Sequence, residues 1–153
     1  MNKTTKLALG FLDNKFIIYS LILGFFGFLD SLYLTIVHYK NIVPPCSLHL
    51  GCEKVLTSSF SMIGPIPMAL MGVIFYVAVI ILCLLVLIEG KKQLLKFFHF
   101  SVLVGFLFSV VLFFIQFSIL KSFCQYCLLS EVISTGLLFL SLLKLKQDRN
   151  SIK

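Results

Sequence analysis

Hydrophobic residues in this chain fall into four long runs separated by short polar segments. The runs cover about residues 16–37, 65–88, 97–120 and 122–143. A helix rises about 1.5 Å per residue and the hydrocarbon core of a bilayer is about 30 Å thick, so each run can cross a membrane. The first run is too long for the apolar part of a cleavable signal peptide and is predicted to remain as an anchor. The pattern predicts an all-α integral membrane protein, a bundle of four transmembrane helices.

Composition excludes an ordinary soluble domain. The chain has 153 residues, of which 59% are hydrophobic and 12% charged, and its mean hydropathy is +1.07. Soluble domains are about 45–50% apolar and about 25% charged. Four spans leave no room for a second folded domain, so residues 1–153 are predicted to form a single membrane domain.

The basic residues predict the orientation of the bundle. A formal net charge of +7 would suggest a nucleic-acid partner in a soluble protein, but here the charges lie between the apolar runs and membrane lipid is the expected partner. Lys and Arg are retained on the cytoplasmic side during insertion. Ten of the 13 fall on one side of the predicted bundle: Lys3, Lys6, Lys15, Lys91, Lys92, Lys96, Lys144, Lys146, Arg149 and Lys153. Both termini are therefore predicted to be cytoplasmic in a multi-pass inner (cytoplasmic) membrane protein, with the loops after the first and third runs outside.

The first outward loop, residues 40–64, is the longest irregular stretch. Apolar residues recur at near-helical spacing between Glu53 and Phe60, which predicts a short helix lying in the membrane interface. The segment Gly64-Pro65-Ile66-Pro67 is expected to end that helix and to begin the second span at Pro65, because proline is tolerated in a first helical turn.

Four of the five cysteines fall on the outward side. Cys46 and Cys52 lie in the first outward loop, and Cys124 and Cys127 open the fourth run. Disulfides form and persist outside the cytoplasm. Cys83 stands alone among aliphatic residues in the second run and is interpreted as a small core hydrophobe.

The Cys-x-x-Cys pair at residues 124–127 is the sharper chemical signal. At a helix start both sulfurs share one face, and the helix N-terminus stabilises a thiolate at Cys124. Cys127 lies one turn deeper, where a lipid-soluble electron carrier could reach it, while the loop pair could present a disulfide to a soluble protein. Two structural disulfides and a four-cysteine zinc site are the alternatives. A disulfide within Cys-x-x-Cys closes too short a loop to stabilise the fold much. The separation of Cys46 and Cys52 does not suit a structural zinc site.

These residues resemble the vitamin K epoxide reductase family in its bacterial, quinone-linked form, without a fused thioredoxin-like domain. The resemblance covers most of the chain and rests on the following segments: Ser31-Leu32-Tyr33-Leu34, Cys46, Cys52-Glu53-Lys54-Val55, Ser58, Gly64-Pro65-Ile66-Pro67, Gly72, Phe75-Tyr76 and Phe123-Cys124-Gln125-Tyr126-Cys127. It implies a four-helix bundle around a quinone, ubiquinone or menaquinone, and a role in disulfide formation outside the cytoplasm.

The resemblance also implies a role for each cysteine. Cys46 would meet the dithiol of a separate thioredoxin-like (DsbA-like) protein, and Cys52 would pass electrons to Cys124. Cys127 would then react with the quinone. Each transfer between cysteines is the attack of a thiolate on a disulfide. Ser58 falls where family members carry an active-site serine, although a residue that caps the loop helix or faces solvent is an equally good interpretation.

Two positions depart from the animal enzymes of that family. Met68 stands where they carry an asparagine that binds the vitamin K ring, and Glu131 stands where they carry a tyrosine. Both changes argue against epoxide reduction but leave quinone reduction intact. Ser58, Met68 and Glu131 are the residues predicted to contact the quinone.

Two acids inside the apolar runs need an explanation, because ionisable groups at membrane depth are rare. Glu131 shares a helix face with Cys124 and Cys127, and it either supplies a proton to the quinone or bonds a neighbouring helix. For Asp30 an interhelical hydrogen bond is the favoured interpretation. No metal site is predicted. The leading hypothesis is a quinone-dependent thiol–disulfide oxidoreductase, and the rival is a small transporter or channel subunit that uses the two acids and has structural disulfides.

Overall fold

The computed structural model describes residues 3–42, 44 and 51–152 of the chain. Its helices are α1 (Lys3–Tyr39), α2 (Cys52–Leu56), α3 (Met68–Glu89), α4 (Lys92–Phe114) and α5 (Gln125–Ile152). A 3-10 turn (Ser59–Ser61), strands β1 (Met62–Ile63) and β2 (Ile66–Pro67), and a π-helical segment (Ile115–Leu120) lie between them. Within the described residues, four helical segments are long and apolar enough to span a membrane: Lys15–Tyr39, Met68–Glu89, Gln93–Leu120 and Gln125–Asn150. The predicted all-α, four-span fold is confirmed.

The four long helices form one bundle. Helix α1 packs against α3 and α5, and α4 packs against the same two helices. Their shared core contains Ile17, Tyr76, Val79, Cys83, Phe98, Val102, Ile133 and Leu137. Cys83 is a free, buried cysteine in this core, so its interpretation as a core hydrophobe is confirmed. A Cβ atom at Gly27 would overlap the Tyr76 ring, and the absence of a side chain there lets α1 approach α3 closely.

The outer surface of the bundle is apolar. Ile74, Phe100, Phe114 and Val132 are each more than 60% exposed, on three different helices. So many exposed aliphatic and aromatic side chains would form a large hydrophobic patch in water. Their distribution around the bundle is that of a surface in contact with lipid tails.

The short loop helix α2 is present but ends earlier than the sequence pattern predicts. It stops at Leu56, and the hydroxyl groups of the next two residues bond back to the helix. Thr57 Oγ1 donates to the Glu53 carbonyl at 2.7 Å, and Ser58 Oγ donates to the Val55 carbonyl at 2.8 Å. Such local bonds compete with helix continuation, and Ser58 has an extended backbone.

The second long helix, α3, begins at Met68 rather than at Pro65. Strand β1 pairs antiparallel with β2, with Met62 opposite Pro67 and Ile63 opposite Ile66. Gly64 adopts a φ of +61° in the connecting turn, a conformation that favours glycine. The Gly-Pro-Ile-Pro segment therefore forms a small hairpin instead of a first helical turn.

Candidate functional site

The Cys-x-x-Cys pair lies at the start of α5. The π-helical segment ends at Leu120. Lys121, which follows it, has a φ of +45°, and the chain then reverses into α5. The Leu128 N–H donates to the Cys124 carbonyl at 2.9 Å, so Cys124 directly precedes the helix. Both cysteines are free, and the Cys127 N–H donates to Cys124 Sγ at 3.4 Å. The helix start thus brings the two sulfurs onto one face, as the spacing predicts.

The environment of Cys124 favours a thiolate. A hydrogen bond from the Cys127 side chain lowers the pKa of the Cys124 thiol, and the backbone N–H groups of Cys127 and Tyr126 add to this effect. Burial acts in the opposite direction without outweighing these bonds. A stabilised thiolate is the form that attacks a neighbouring sulfur, so Cys124 is the more nucleophilic candidate at its end of the span.

Cys52, the first residue of α2, contacts this region from the loop. It is disulfide-bonded and 2% exposed. Together with Val55 and Cys124 it forms a buried cluster, against which Leu56, Leu120, Tyr126 and Cys127 pack. One cysteine of each predicted pair therefore lies in the same buried cluster. Cys46, the other predicted loop cysteine, lies outside the described residues.

Gly51 allows the loop to approach α5. Its φ is +70°, and a Cβ atom there would lie 3.1 Å from the Ser122 side chain. Both the backbone conformation and the tight contact favour glycine. Gly51 thereby places the first turn of α2 directly against the segment that leads into Cys124.

A cavity of about 310 Å³ opens beside the Cys-x-x-Cys pair, between the long helices and the loop. It is large enough for a small organic ring, since ligand pockets start at about 300 Å³. Its walls are mostly apolar and include Leu34, Phe75, Phe108 and Leu112. The residues predicted from the sequence that line it are Cys127, Ser58, Met68 and Glu131.

The two cysteines of the pair therefore differ in position. Cys127 lines the cavity, whereas Cys124 is fully buried behind it in the cluster with Cys52. Ser58 lines the cavity, and its hydroxyl caps the end of α2. Its position is therefore compatible with both interpretations, the active-site serine and the residue that caps the loop helix. Met68, the first residue of α3, is half-buried at the cavity wall.

Gln116, which sequence reasoning missed, connects the cysteine pair to Glu131. It is 3% exposed and lies in the π-helical segment. Its Nε2 donates to Glu131 Oε1 at 2.9 Å, and its Oε1 accepts the Cys124 N–H at 3.0 Å. Glu131 thus bonds a neighbouring helical segment and lines the cavity at the same time. The sequence did carry a signal for it, because Gln116 is the one amide side chain in the apolar stretch 110–120 and a buried amide needs hydrogen-bond partners.

Within the part of the chain that the structure describes, Asp30 does not make the interhelical hydrogen bond that was expected. It is 8% exposed, and among the described residues its Oδ2 has no hydrogen-bond partner. Asp30 lines the same cavity.

The cavity fits a quinone headgroup. Its apolar aromatic and aliphatic walls suit a flat ring. The carboxyl groups of Asp30 and Glu131, when protonated, can donate hydrogen bonds to the ring's carbonyl oxygens. Cys127 would lie against the ring, and Glu131 and Gln116 would lie beside it.

Comparison with known proteins adds a family assignment. A sequence model of the vitamin K epoxide reductase family matches residues 18–142, which is most of the chain and includes all four predicted active-site cysteines. A search of curated proteins finds no match.

Proposed function

We propose, because the chain belongs to the vitamin K epoxide reductase family, that it oxidises a thioredoxin-like dithiol protein outside the cytoplasm and reduces a membrane quinone. Members of this family are membrane thiol–disulfide oxidoreductases, and the family uses quinones. One observation carries the proposal. Cys127 lines a quinone-sized cavity, while its partner Cys124 lies in a buried cluster with the loop cysteine Cys52.

The first half of the proposed reaction takes place at the loop. A thiolate of the partner protein attacks Cys46 in a Cys46–Cys52 disulfide, and the second partner thiol resolves the mixed disulfide. The partner leaves oxidised and both loop cysteines are reduced. Cys52 then attacks Cys124 in the Cys124–Cys127 disulfide, and Cys46 closes on Cys52 to release Cys124. Each exchange conserves electrons, because one S–S bond breaks for each one that forms.

The second half takes place at the cavity. The S–H bonds of Cys124 and Cys127 break as their S–S bond forms, and this oxidation releases two electrons and two protons. A bound quinone supplies the oxidising power by taking up those two electrons and two protons. The arrangement described above, with Cys52 in a disulfide and Cys124 and Cys127 free, corresponds to the state that follows internal exchange and precedes this step.

The proposed location is the inner membrane, with both termini in the cytoplasm and the cysteine pairs on the other side. The distribution of basic residues supports this orientation. It would place the loop in the compartment where disulfides persist.

Reconstitution tests the proposed function directly. The purified chain in lipid, supplied anaerobically with a reduced DsbA-like protein and excess ubiquinone or menaquinone, should form one quinol for each partner disulfide. Quinol is measured by its absorbance and the partner disulfide by thiol alkylation and mass. Partner oxidation without quinol, or no reaction with either quinone, would reject the proposal and favour the transporter alternative.

We also expect Gln116 to be needed for turnover. Gln116→Leu leaves the Cys124 N–H and the Glu131 carboxyl group without their partner, and each buried unsatisfied group costs roughly 1–3 kcal/mol. Turnover should fall about tenfold, because 1.4 kcal/mol corresponds to a factor of ten. Gln116→Glu, which retains an acceptor for the Cys124 N–H, should recover part of the loss.

The matched control is Gln93→Leu at the exposed start of α4. It should change neither turnover nor the free energy of unfolding by a measurable amount. Wild-type turnover in Gln116→Leu would show that the bridge between Cys124 and Glu131 has no part in the reaction.

A further inference from the structure

The wall of the cavity that α1 forms carries a second acid. Asp30 lies on α1, is more than nine-tenths buried and lines the cavity, and among the described residues its Oδ2 has no hydrogen-bond partner. Buried polar atoms without a partner are rare in folded proteins, and each one calls for an explanation.

Two contacts fix the depth of Asp30 relative to the cysteine pair. The ring centroids of Tyr33 on α1 and Tyr126 on α5 are 5.3 Å apart. Further into the bundle, a Cβ at Gly136 would lie 3.3 Å from the Leu23 side chain. The two helices are therefore antiparallel, and Asp30 lies level with residues 129–130. At 1.5 Å per residue, that is about 3–5 Å below Cys127 and close to the level of Glu131.

Two sets of polar groups near that level are hydrogen-bonded. The Tyr76 hydroxyl donates to the Ser130 carbonyl at 3.0 Å and lies 2.9 Å from Ser130 Oγ. Glu131 accepts a hydrogen bond from the Gln116 side-chain amide. Asp30 belongs to neither set and lines the cavity, so its carboxyl group is available to a molecule bound there.

The chemistry of the proposed reaction consumes two protons at the quinone. A quinone becomes a quinol by taking up two electrons and one proton on each of its two oxygens. A carboxyl group buried without a cationic partner is most stable in its protonated form, and a protonated carboxyl group can donate a hydrogen bond. Two such groups, on α1 and α5 at nearly the same depth, line one cavity.

We infer that Asp30 is a substrate-binding and proton-donating residue, which bonds one carbonyl oxygen of the quinone while Glu131 serves the other. This inference rests on the proposed function. Each acid gives up one proton as the Cys124–Cys127 disulfide forms. The two thiol protons that are released replace them, so protons and electrons balance over the cycle.

The test compares Asp30→Leu and Asp30→Asn in the full-length protein, with a short-chain quinone as the probe. Leucine removes the hydrogen bond, and equilibrium binding of the quinone should weaken about tenfold. The infrared carbonyl stretch of the bound quinone should shift towards its free value. Asparagine can still donate a hydrogen bond, so binding should stay within about threefold of wild type, but quinol formation should slow because an amide does not transfer a proton.

Stability provides a readout that is independent of activity. A buried oxygen that finds its hydrogen-bond partner only in the substrate is unpaired in the free protein. Such a residue lowers the stability of the protein without substrate. Asp30→Leu should therefore unfold at the same temperature as wild type or higher while it binds quinone more weakly. Asp148→Asn, at the other end of α5 and paired with Lys144, is the matched control and should leave quinone binding unchanged.

Two results would overturn the inference. One is unchanged quinone binding in Asp30→Leu, and the other is a lower unfolding temperature in both variants, which would show a structural role. Either result with a wild-type protein that still reduces quinone refutes the role of Asp30 alone. If the wild-type protein neither binds nor reduces quinone, the proposed function fails instead.

Discussion

Replacing either cysteine of the Cys-x-x-Cys pair should abolish quinone reduction, but the two variants should differ in their absorption spectra. A serine cannot take part in a disulfide, so turnover in Cys124→Ser and in Cys127→Ser should fall at least about a thousandfold. In Cys124→Ser the remaining sulfur, Cys127, lines the cavity. Its thiolate would face bound quinone, and a thiolate-to-quinone charge-transfer band should appear and grow as the pH is raised.

In Cys127→Ser the band should be absent, because Cys124 is fully buried behind the cavity wall. Cys83→Ser makes the same substitution in the bundle core, away from the cavity lining, and should retain turnover and show no band. A band in Cys127→Ser but not in Cys124→Ser would reverse the two roles. Its absence from both, with quinone shown to be bound, would remove the direct support for quinone as the acceptor.

The loop cysteines should also be essential, and only one of them should capture the partner. Both Cys46→Ser and Cys52→Ser should lose at least about a thousandfold in partner oxidation, since each breaks the chain of exchanges. In Cys52→Ser the thiol of Cys46 should form a stable mixed disulfide with the oxidised partner protein. In Cys46→Ser the remaining Cys52 is 2% exposed within its cluster, so a soluble protein should not reach it.

Non-reducing electrophoresis followed by mass spectrometry measures the mixed disulfide. The Cys46→Ser protein should keep an intact Cys124–Cys127 pair that quinone can still oxidise after chemical reduction, which serves as its internal control. Normal turnover in Cys46→Ser with the partner protein would rule out Cys46 as the entry point. A mixed disulfide in Cys46→Ser alone would reverse the order of the loop pair.

The four-span fold could be predicted from sequence because it depends on local properties. Run length, hydropathy and the position of the basic residues each act within one segment, and the membrane fixes how a long apolar run must fold. The Cys-x-x-Cys pair could be placed for the same reason, since the start of a helix is a local feature. The hairpin at Gly64 was missed because prolines suit both a first helical turn and a short edge strand.

The contacts that build the site could not be predicted, because they join segments that are distant in sequence. Gln116, in the π-helical segment, bonds Glu131 and Cys124, which are 15 and 8 residues away in the sequence. The interhelical bond expected for Asp30 is likewise not the arrangement found. A single sequence shows that a buried polar residue needs a partner, but not which residue the packing supplies. The roles of Ser58, Met68 and Glu131 towards quinone therefore stay predictions.

The site depends on the number of residues between positions 115 and 120 as well as on which residues they are, because this segment is π-helical. A π-helical turn holds more residues than an α-helical one, and each residue in an α-helix turns the chain by about 100°. Removing one residue there, with every side chain of the bridge retained, would restore regular α-helix and rotate the residues on one side of the deletion relative to those on the other. Amino-acid composition would be almost unchanged while the link between Cys124 and Glu131 was lost. A transplant of this centre into another four-helix scaffold must therefore copy a helical irregularity as well as a set of side chains.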